Sequence, residues 1–259
     1  MPPLDSITAH QQEACLFLTM NSPPVNAMSR AFMEELAAHL AQCVEDPDVR
    51  VVAITSGLPV IYSAGADVRE LVGLDRAGCE AFVKLGHETF DRITTLPKPV
   101  IAAIHGICVG GGLEMAMACD FRIAADGAEF GQPEVDLGLV SGWGATQRLT
   151  RLVGRTRALE MLMTGARIKA LRALAVGLVN RVVPAHDLLL DTRRLAHQLS
   201  QKSASALRGI KEAVNRGAHL SLAEGLAAEG RCFTESYQAP DAAEGLRAFL
   251  EKRRPNFQA

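Results

Sequence analysis

The sequence predicts an α/β fold that ends in a helical region. Strand-period and helix-period segments alternate through the first two thirds of the chain, which is the pattern of α/β construction. A glycine triplet, Gly110-Gly111-Gly112, joins a buried apolar run to a helical pattern. Only helical signals follow Pro184. Taken in order, residues 14–20 read as a short strand, and residues 21–27, with Pro23-Pro24, as a loop. Ser29 can cap a helix whose Phe32, Leu36 and Leu40 share one face, and Asp46-Pro47 ends that pattern. Residues 49–55 form a β-branched run suited to a buried strand. Residues 56–67 hold enough Gly, Ser and Pro for a functional loop. A helix over about 79–96 stops at Lys98-Pro99, and residues 100–104 give the next buried strand. The glycine triplet then leads into a helix through Leu113, Met115 and Met117, followed by strands at 121–124 and 178–183. Helices are expected over 185–201, 205–217, 221–237 and 241–253. With no repeat, linker or low-complexity tract, this divides the chain into a core of residues 1–195 holding the site and a helical region of residues 196–259.

Composition narrows the function classes. At 259 residues, 48% hydrophobic and 22% charged, the chain can bury a substantial core, so disorder is not its main state. Twenty-seven Lys and Arg against 29 Asp and Glu leave a charge of −2, so there is no global field to gather nucleic acid or an anionic membrane. Cysteines at 15, 43, 79, 108, 119 and 232 form no C-x-x-C pair, which suggests neither a zinc site nor a disulfide scaffold and fits a reducing compartment. The opening MPPLDSITAHQQ lacks a secretory pattern, and acidic Asp5 without an early arginine disfavours a transit peptide, so the cytoplasm is expected. Residues 100–119 are long enough to span a bilayer but contain His105, three glycines and Glu114, so they read as strand, loop and helix instead.

Three segments could carry chemistry. Glycines at a helix start let a carbonyl approach unpaired backbone N–H groups at the positive end of the helix dipole, which would make an oxyanion site; a tight turn chosen for packing reads equally well. A phosphate loop does not fit, because GGGLEM lacks a following Lys-Ser/Thr and places Glu114 where a pyrophosphate would lie. Glu114 sits among Leu113, Met115, Ala116 and Met117, an apolar setting that suits an acid or base of shifted pKa as well as a residue complementing the helix dipole. The turn-rich Phe130-Gly131-Gln132-Pro133-Glu134 brings a second carboxylate, and two carboxylates near one carbonyl could hold a water between them. Ser63-Ala64-Gly65-Ala66-Asp67 could offer another exposed N–H, or be a surface turn in which Asp67 caps the next helix.

Taken together, the chain resembles the enoyl-CoA hydratase/isomerase, or crotonase, superfamily. The resemblance lies in NSPPVNAMS at 21–29, YSAGADVRE at 62–70, KPVIAAIHGICVGGGLEMAMACDFRIA at 98–124, FGQPEVDLGL at 130–139, TQRLTRLVG at 146–154 and AFLEKRRPNF at 248–257. It implies repeated ββα units coiled into a right-handed spiral, with C-terminal helices that cover the site and build trimers, often paired into hexamers. It further implies a coenzyme A thioester as substrate, with no separate cofactor and no metal. The backbone N–H groups of Ala66 and Gly111 correspond to those that hold the thioester oxygen. Ala64, Asp67 and Val68 fall on the stretch lining the adenine and ribose side, and Gly142 matches a glycine whose N–H helps hold the reacting water. Phe233 and Lys252 match positions that reach the CoA of a neighbouring subunit.

The glutamates specify the reaction, because the shared oxyanion hole does not. Hydratases that resemble this chain keep both, here Glu114 and Glu134, so hydration of a trans-2-enoyl-CoA is the expected activity. Two rivals are Δ3,Δ2-isomerisation by one glutamate and nonenzymatic acyl-CoA or RNA binding through patches such as Arg148, Arg151, Arg155 and Arg157. The chain departs from the common pattern at Ser22, in a loop one residue short that lacks a CoA-facing lysine, and at Ser141 to Leu149. There Trp143, the only tryptophan, replaces a small residue and either narrows the acyl pocket or packs against the core.

Overall fold

The chain opens with an antiparallel hairpin absent from the sequence expectation, in which β1 (Ile7–Gln12) pairs with β2 (Cys15–Met20). Only Ile7 of β1 is buried, so this edge strand carries no apolar alternation by which to recognise it. The computed structural model describes residues 6–257; residues 1–5, among them Asp5, and residues 258–259 lie outside the described residues. β3 (Ala27–Met28) precedes α1 (Arg30–Glu45), whose first turn is capped by Ser29 Oγ accepting from the Phe32 N–H at 3.2 Å. Phe32, Leu36 and Leu40 are buried as the spacing requires.

β4 (Val51–Ser56) follows, and the segment expected to be loop contains two further short strands, β5 (Ile61–Ser63) and β6 (Gly65–Ala66). Two or three residues are too few to show a period, which is why they read as loop. After a 3₁₀ turn at Val68–Glu70 come α2 (Arg76–Thr95), β7 (Val100–Ile104), β8 (Ile107–Val109) and α3 (Gly111–Ala118). Next are β9 (Phe121–Ala125), β10 (Glu129–Gly131) and a 3₁₀ turn at Pro133–Leu137. α4 (Ala145–Val153), α5 (Arg155–Thr164), β11 (Ile168–Lys169), α6 (Ala170–Ala175) and β12 (Arg181–Val183) complete the strand-bearing part. The C-terminal helices are α7 (Leu188–Ser200), α8 (Ala204–Gly217), α9 (Leu222–Gln238) and α10 (Pro240–Leu250).

The spiral follows from the strand orders. One sheet runs β1-β2-β4-β7-β9-β12 and the other β11-β10-β8-β5. The successive pairs β4/β5, β7/β8 and β9/β10 each give one strand to each sheet, so the chain advances by one repeating turn at a time. β4 and β7 are buried along their whole length, because the large sheet is covered on both faces. Val52, Ile54, Ala102 and Ile104 point into the main core, whereas Val51, Ala53, Ile101 and Ala103 meet Leu188, Leu195 and Ala196 of α7. Residue 195 therefore lies in the middle of a helix that packs on the sheet, and the continuous packed unit extends to the end of α7. α8 is tethered by polar bonds instead: Lys211 Nζ donates to Asp120 Oδ2 at 2.8 Å, to Ile93 O at 3.0 Å and to Lys98 O at 3.2 Å. Among the described residues no helix is long and apolar enough to cross a membrane.

Candidate active site

Four short strands end at one place, β10, β8 and β5 adjacent in one sheet and β6 from the small sheet with β3. β8 leads into the glycine triplet, β5 and β6 bring residues 63–66 beside it, and β10 delivers the turn carrying Glu134. β10 pairs with β8 in register, Gly131 opposite Val109, and the Gly110 N–H donates to Gly131 O at 3.1 Å. Gly110 has φ +55°, and a Cβ there would lie 3.2 Å from Glu134 Oε1, so the missing side chain permits the carboxylate's close approach. Gly111 opens α3, where its N–H has no intrahelical acceptor. A Cβ on Gly111 would lie 3.2 Å from Ala66 N and 2.7 Å from the Trp143 ring, so the two backbone N–H positions and the indole edge converge on one small volume.

Glu114 is 2% exposed on α3. Its Oε1 accepts from the N–H groups of Trp143 at 2.9 Å and Ala145 at 2.8 Å, which answers the cost of burying a carboxylate in an apolar helix. Burial pushes its pKa up to about 7, the two N–H donors pull against that shift, and the charge of Glu134 adds to it. The two glutamates, 20 residues apart in sequence, meet around Gly110: its carbonyl accepts from the Glu114 N–H at 3.0 Å, and its absent Cβ leaves room for Glu134 Oε1. Glu134 is also raised by burial, opposed by hydrogen bonds from its own backbone and from the Ser141 hydroxyl. The amide of Gln132, with its nitrogen turned to Glu134, donates to both carboxylate oxygens at 3.0 Å.

Arg148 closes the arrangement from outside. Its guanidinium donates to Trp143 O and to Asp91 Oδ1, both at 3.0 Å, tying the loop that holds Glu114 to α2. Gln132, Ser141 and Arg148 all stand in the quoted motifs, but sequence gives no sign of which carboxylate or carbonyl each will meet. Arg148, named above as part of a basic patch, is in fact mostly covered, with its side chain 21% exposed.

The remaining expected residues divide between the site and the surface. Ala64 lies beside the triplet, with its carbonyl 3.4 Å from where a Gly110 Cβ would be. Asp67 is buried and grips Arg69, which holds its carboxyl below the usual range; its Oδ1 also caps the 3₁₀ turn at Arg69 N. Val68 is exposed. Gly142 is half-buried under α2, 3.6 Å from Val83 as measured from its absent Cβ. Trp143 is packed, at 2% exposure, against Phe82 and Phe90. Phe233 is 68% exposed and stacks on Tyr237 of its own helix, and Lys252 is exposed just beyond α10.

A spiral of two-strand turns that sets two backbone N–H groups beside one buried and one half-buried carboxyl defines a crotonase-type protein. The chain belongs to the enoyl-CoA hydratase/isomerase family, whose model matches residues 10–259. It is 42% identical over 254 residues to a probable enoyl-CoA hydratase of Mycobacterium tuberculosis, covering 98% of each chain. It is 38% identical to a crotonyl-CoA hydratase of Syntrophomonas wolfei, again over 98% of each. The crystal structure of an enoyl-CoA hydratase from Bacillus anthracis superposes with a TM-score of 0.93 at 38% identity, covering 98% of this chain and 99% of that one.

Proposed function

We propose that this protein is an enoyl-CoA hydratase, adding water reversibly to a trans-2-enoyl-CoA to give a 3-hydroxyacyl-CoA. The observation that carries the reading is the pairing of buried Glu114 with half-buried Glu134, whose charge acts on the Glu114 carboxyl and helps to raise its pKa. The names of the relatives at 38% and 42% identity agree with it. In this scheme the N–H groups of Ala66 and Gly111 receive the thioester oxygen and stabilise the negative charge that develops as oxygen adds at C3. Glu114, whose charged form is favoured by the Trp143 and Ala145 N–H groups, takes a proton from the water. Glu134 delivers a proton to C2. Gly142 N–H helps to orient the water, and Ala64, Asp67 and Val68 line the path of the CoA moiety. The substrate brings the coenzyme A, and no step calls on a further cofactor or a metal.

The same reading includes a homotrimer or a dimer of trimers, with Phe233 and Lys252 of one chain near the CoA of the next. Leu222, Phe249 and Leu250 support it, because each is about 80% exposed on α9 and α10, where a lone chain leaves apolar surface in water. Six unpaired cysteines, five of them buried, support a place in the reducing cytoplasm.

The test is to add crotonyl-CoA and follow the loss of the conjugated thioester absorbance together with product mass. Gain of one water in the product supports hydration. Deuterium entering C2 from heavy water with no hydroxyacyl product overturns it in favour of isomerisation, and tight acyl-CoA binding without any turnover overturns it in favour of a binding protein.

A further inference from the structure

We infer that Trp143, seated on Gly86, forms a fixed end wall for the acyl group and restricts the site to short acyl chains such as crotonyl. The inference rests on the proposed orientation of an acyl-CoA at Ala66 and Gly111, and it adds the property that would select among such esters.

The indole lies against Gly111, one of the two anchors of that orientation, with the other close by. Its six-membered ring lies 2.7 Å from the point where a Gly111 Cβ would stand, and Ala66 N lies 3.2 Å from the same point. The backbone N–H of the same residue donates to Glu114 Oε1 at 2.9 Å. A carbonyl oxygen held by Ala66 and Gly111, with C3 within reach of a water on Glu114, therefore has the Trp143 side chain beside the carbons that follow. The thioester sulfur must leave toward open solvent, because it carries the bulk of coenzyme A. The tail must run the other way, into the protein, where the indole stands.

This wall is held too firmly to swing aside at low cost. A Cβ at position 86 would lie 2.0 Å from Trp143 Cδ1 and 2.1 Å from Nε1, so the five-membered ring occupies the notch that only a glycine on α2 leaves open. Nε1–H donates to Phe82 O at 3.1 Å, which fixes the ring's rotation. Phe82 stacks on the indole with centroids 4.8 Å apart, and Phe90 meets it edge-on at 5.7 Å. Moving the ring would break that hydrogen bond and open a void among aromatic side chains, so a long acyl chain must displace a packed group whereas a short one need not. Gly86 and Trp143 are thus matched, a small residue on α2 receiving a large one from the catalytic loop.

Binding of saturated acyl-CoA esters tests this without requiring any turnover. Titration calorimetry with butyryl-, octanoyl- and decanoyl-CoA should show that wild-type protein binds the long esters at least about tenfold more weakly than butyryl-CoA. Trp143→Ala keeps the N–H that serves Glu114 and should bring the long esters to within about threefold of butyryl-CoA. Gly86→Ala pushes the ring from its seat and should change the long-to-short ratio as well. Equal wild-type affinity for all three esters, or a Trp143→Ala protein that loses affinity for all of them alike, overturns the inference; the wild-type comparison decides even where a variant fails to fold. Hydration of crotonyl-CoA, measured on the same preparation, reports separately on the proposed reaction. Loss of that activity with an intact length preference would sink the hydratase reading and leave the wall standing.

Discussion

α3 and α8 both carry apolar residues, yet one is finished within the chain and the other is not. Every residue of α3 is buried, including Glu114, whose carboxylate is met by two backbone N–H donors. α8 has no buried residue: Lys211 anchors it to the core, and its Ile210 and Val214 are each more than 60% exposed. The contrast separates two uses of apolar sequence. Around α3 it builds a water-poor chamber in which carboxyl pKa values can be moved, and along α8, α9 and α10 it leaves a surface that a second copy of the chain could cover.

The largest expected effect falls on the α3 side. Glu114→Gln and Glu134→Gln keep the shape of each side chain and remove proton transfer, so each should lower kcat by about 10²–10⁴ while KM changes far less. Steady-state kinetics on crotonyl-CoA checks this, and near wild-type turnover in either variant would remove that glutamate from the mechanism. Stability should move in the opposite direction. The folded-state pKa of Glu114 is raised from 4.5 to about 7, so ionising it costs folding free energy as pH climbs from about 4.5, and the cost is complete above about 7. Glu114→Gln should then be more stable than wild type by about 3 kcal/mol at pH 8, with the gain vanishing near pH 4. Urea unfolding at the two pH values measures it, and a gain that does not depend on pH would mean that Glu114 is not ionised against its surroundings.

Arg148→Ala should have a smaller effect, about tenfold on kcat, because it frees the Trp143 carbonyl and loosens the loop that holds Glu114. Partial recovery in Arg148→Lys, with KM little changed, would mark it as a positioning residue; an effect on KM alone would place its role in binding. On the other side of the comparison, Phe249→Asp with Leu250→Asp should break the proposed trimer while leaving the far-UV circular dichroism spectrum unchanged. Light scattering should report the mass of one chain. An unchanged assembly in this variant would show that α10 is not the covered face.

Much of the difference between these regions was legible in the sequence, for physical reasons that can be traced residue by residue. β7 matches the expected residues 100–104 because a central strand buried on both faces is an unbroken apolar run between a proline and a polar turn. Ser29 and the Phe32, Leu36, Leu40 spacing marked α1 because capping and period are local properties. β5, β6, β8 and β10 escaped because three residues carry no period, although these short strands are what gather the site. Glu114 and Glu134 were recognisable as chemically costly or suggestively placed, whereas Gln132 and Ser141 were not, since a small polar residue beside a turn looks alike whether it faces water or a carboxylate. The seat of Trp143 on Gly86 joins residues 57 positions apart and has no local signature at all.

In the proposed reaction Glu114 and Glu134 act together on one water, and a double-mutant cycle tests this most directly. Rates of crotonyl-CoA hydration are compared for wild type, Glu114→Gln, Glu134→Gln and the double variant. Groups that serve one step as a unit are grossly non-additive, so the double variant should be little slower than the slower single one. Losses that multiply, with the double variant slowed by the product of the two single effects, would show that the glutamates act independently and would contradict the shared-water account.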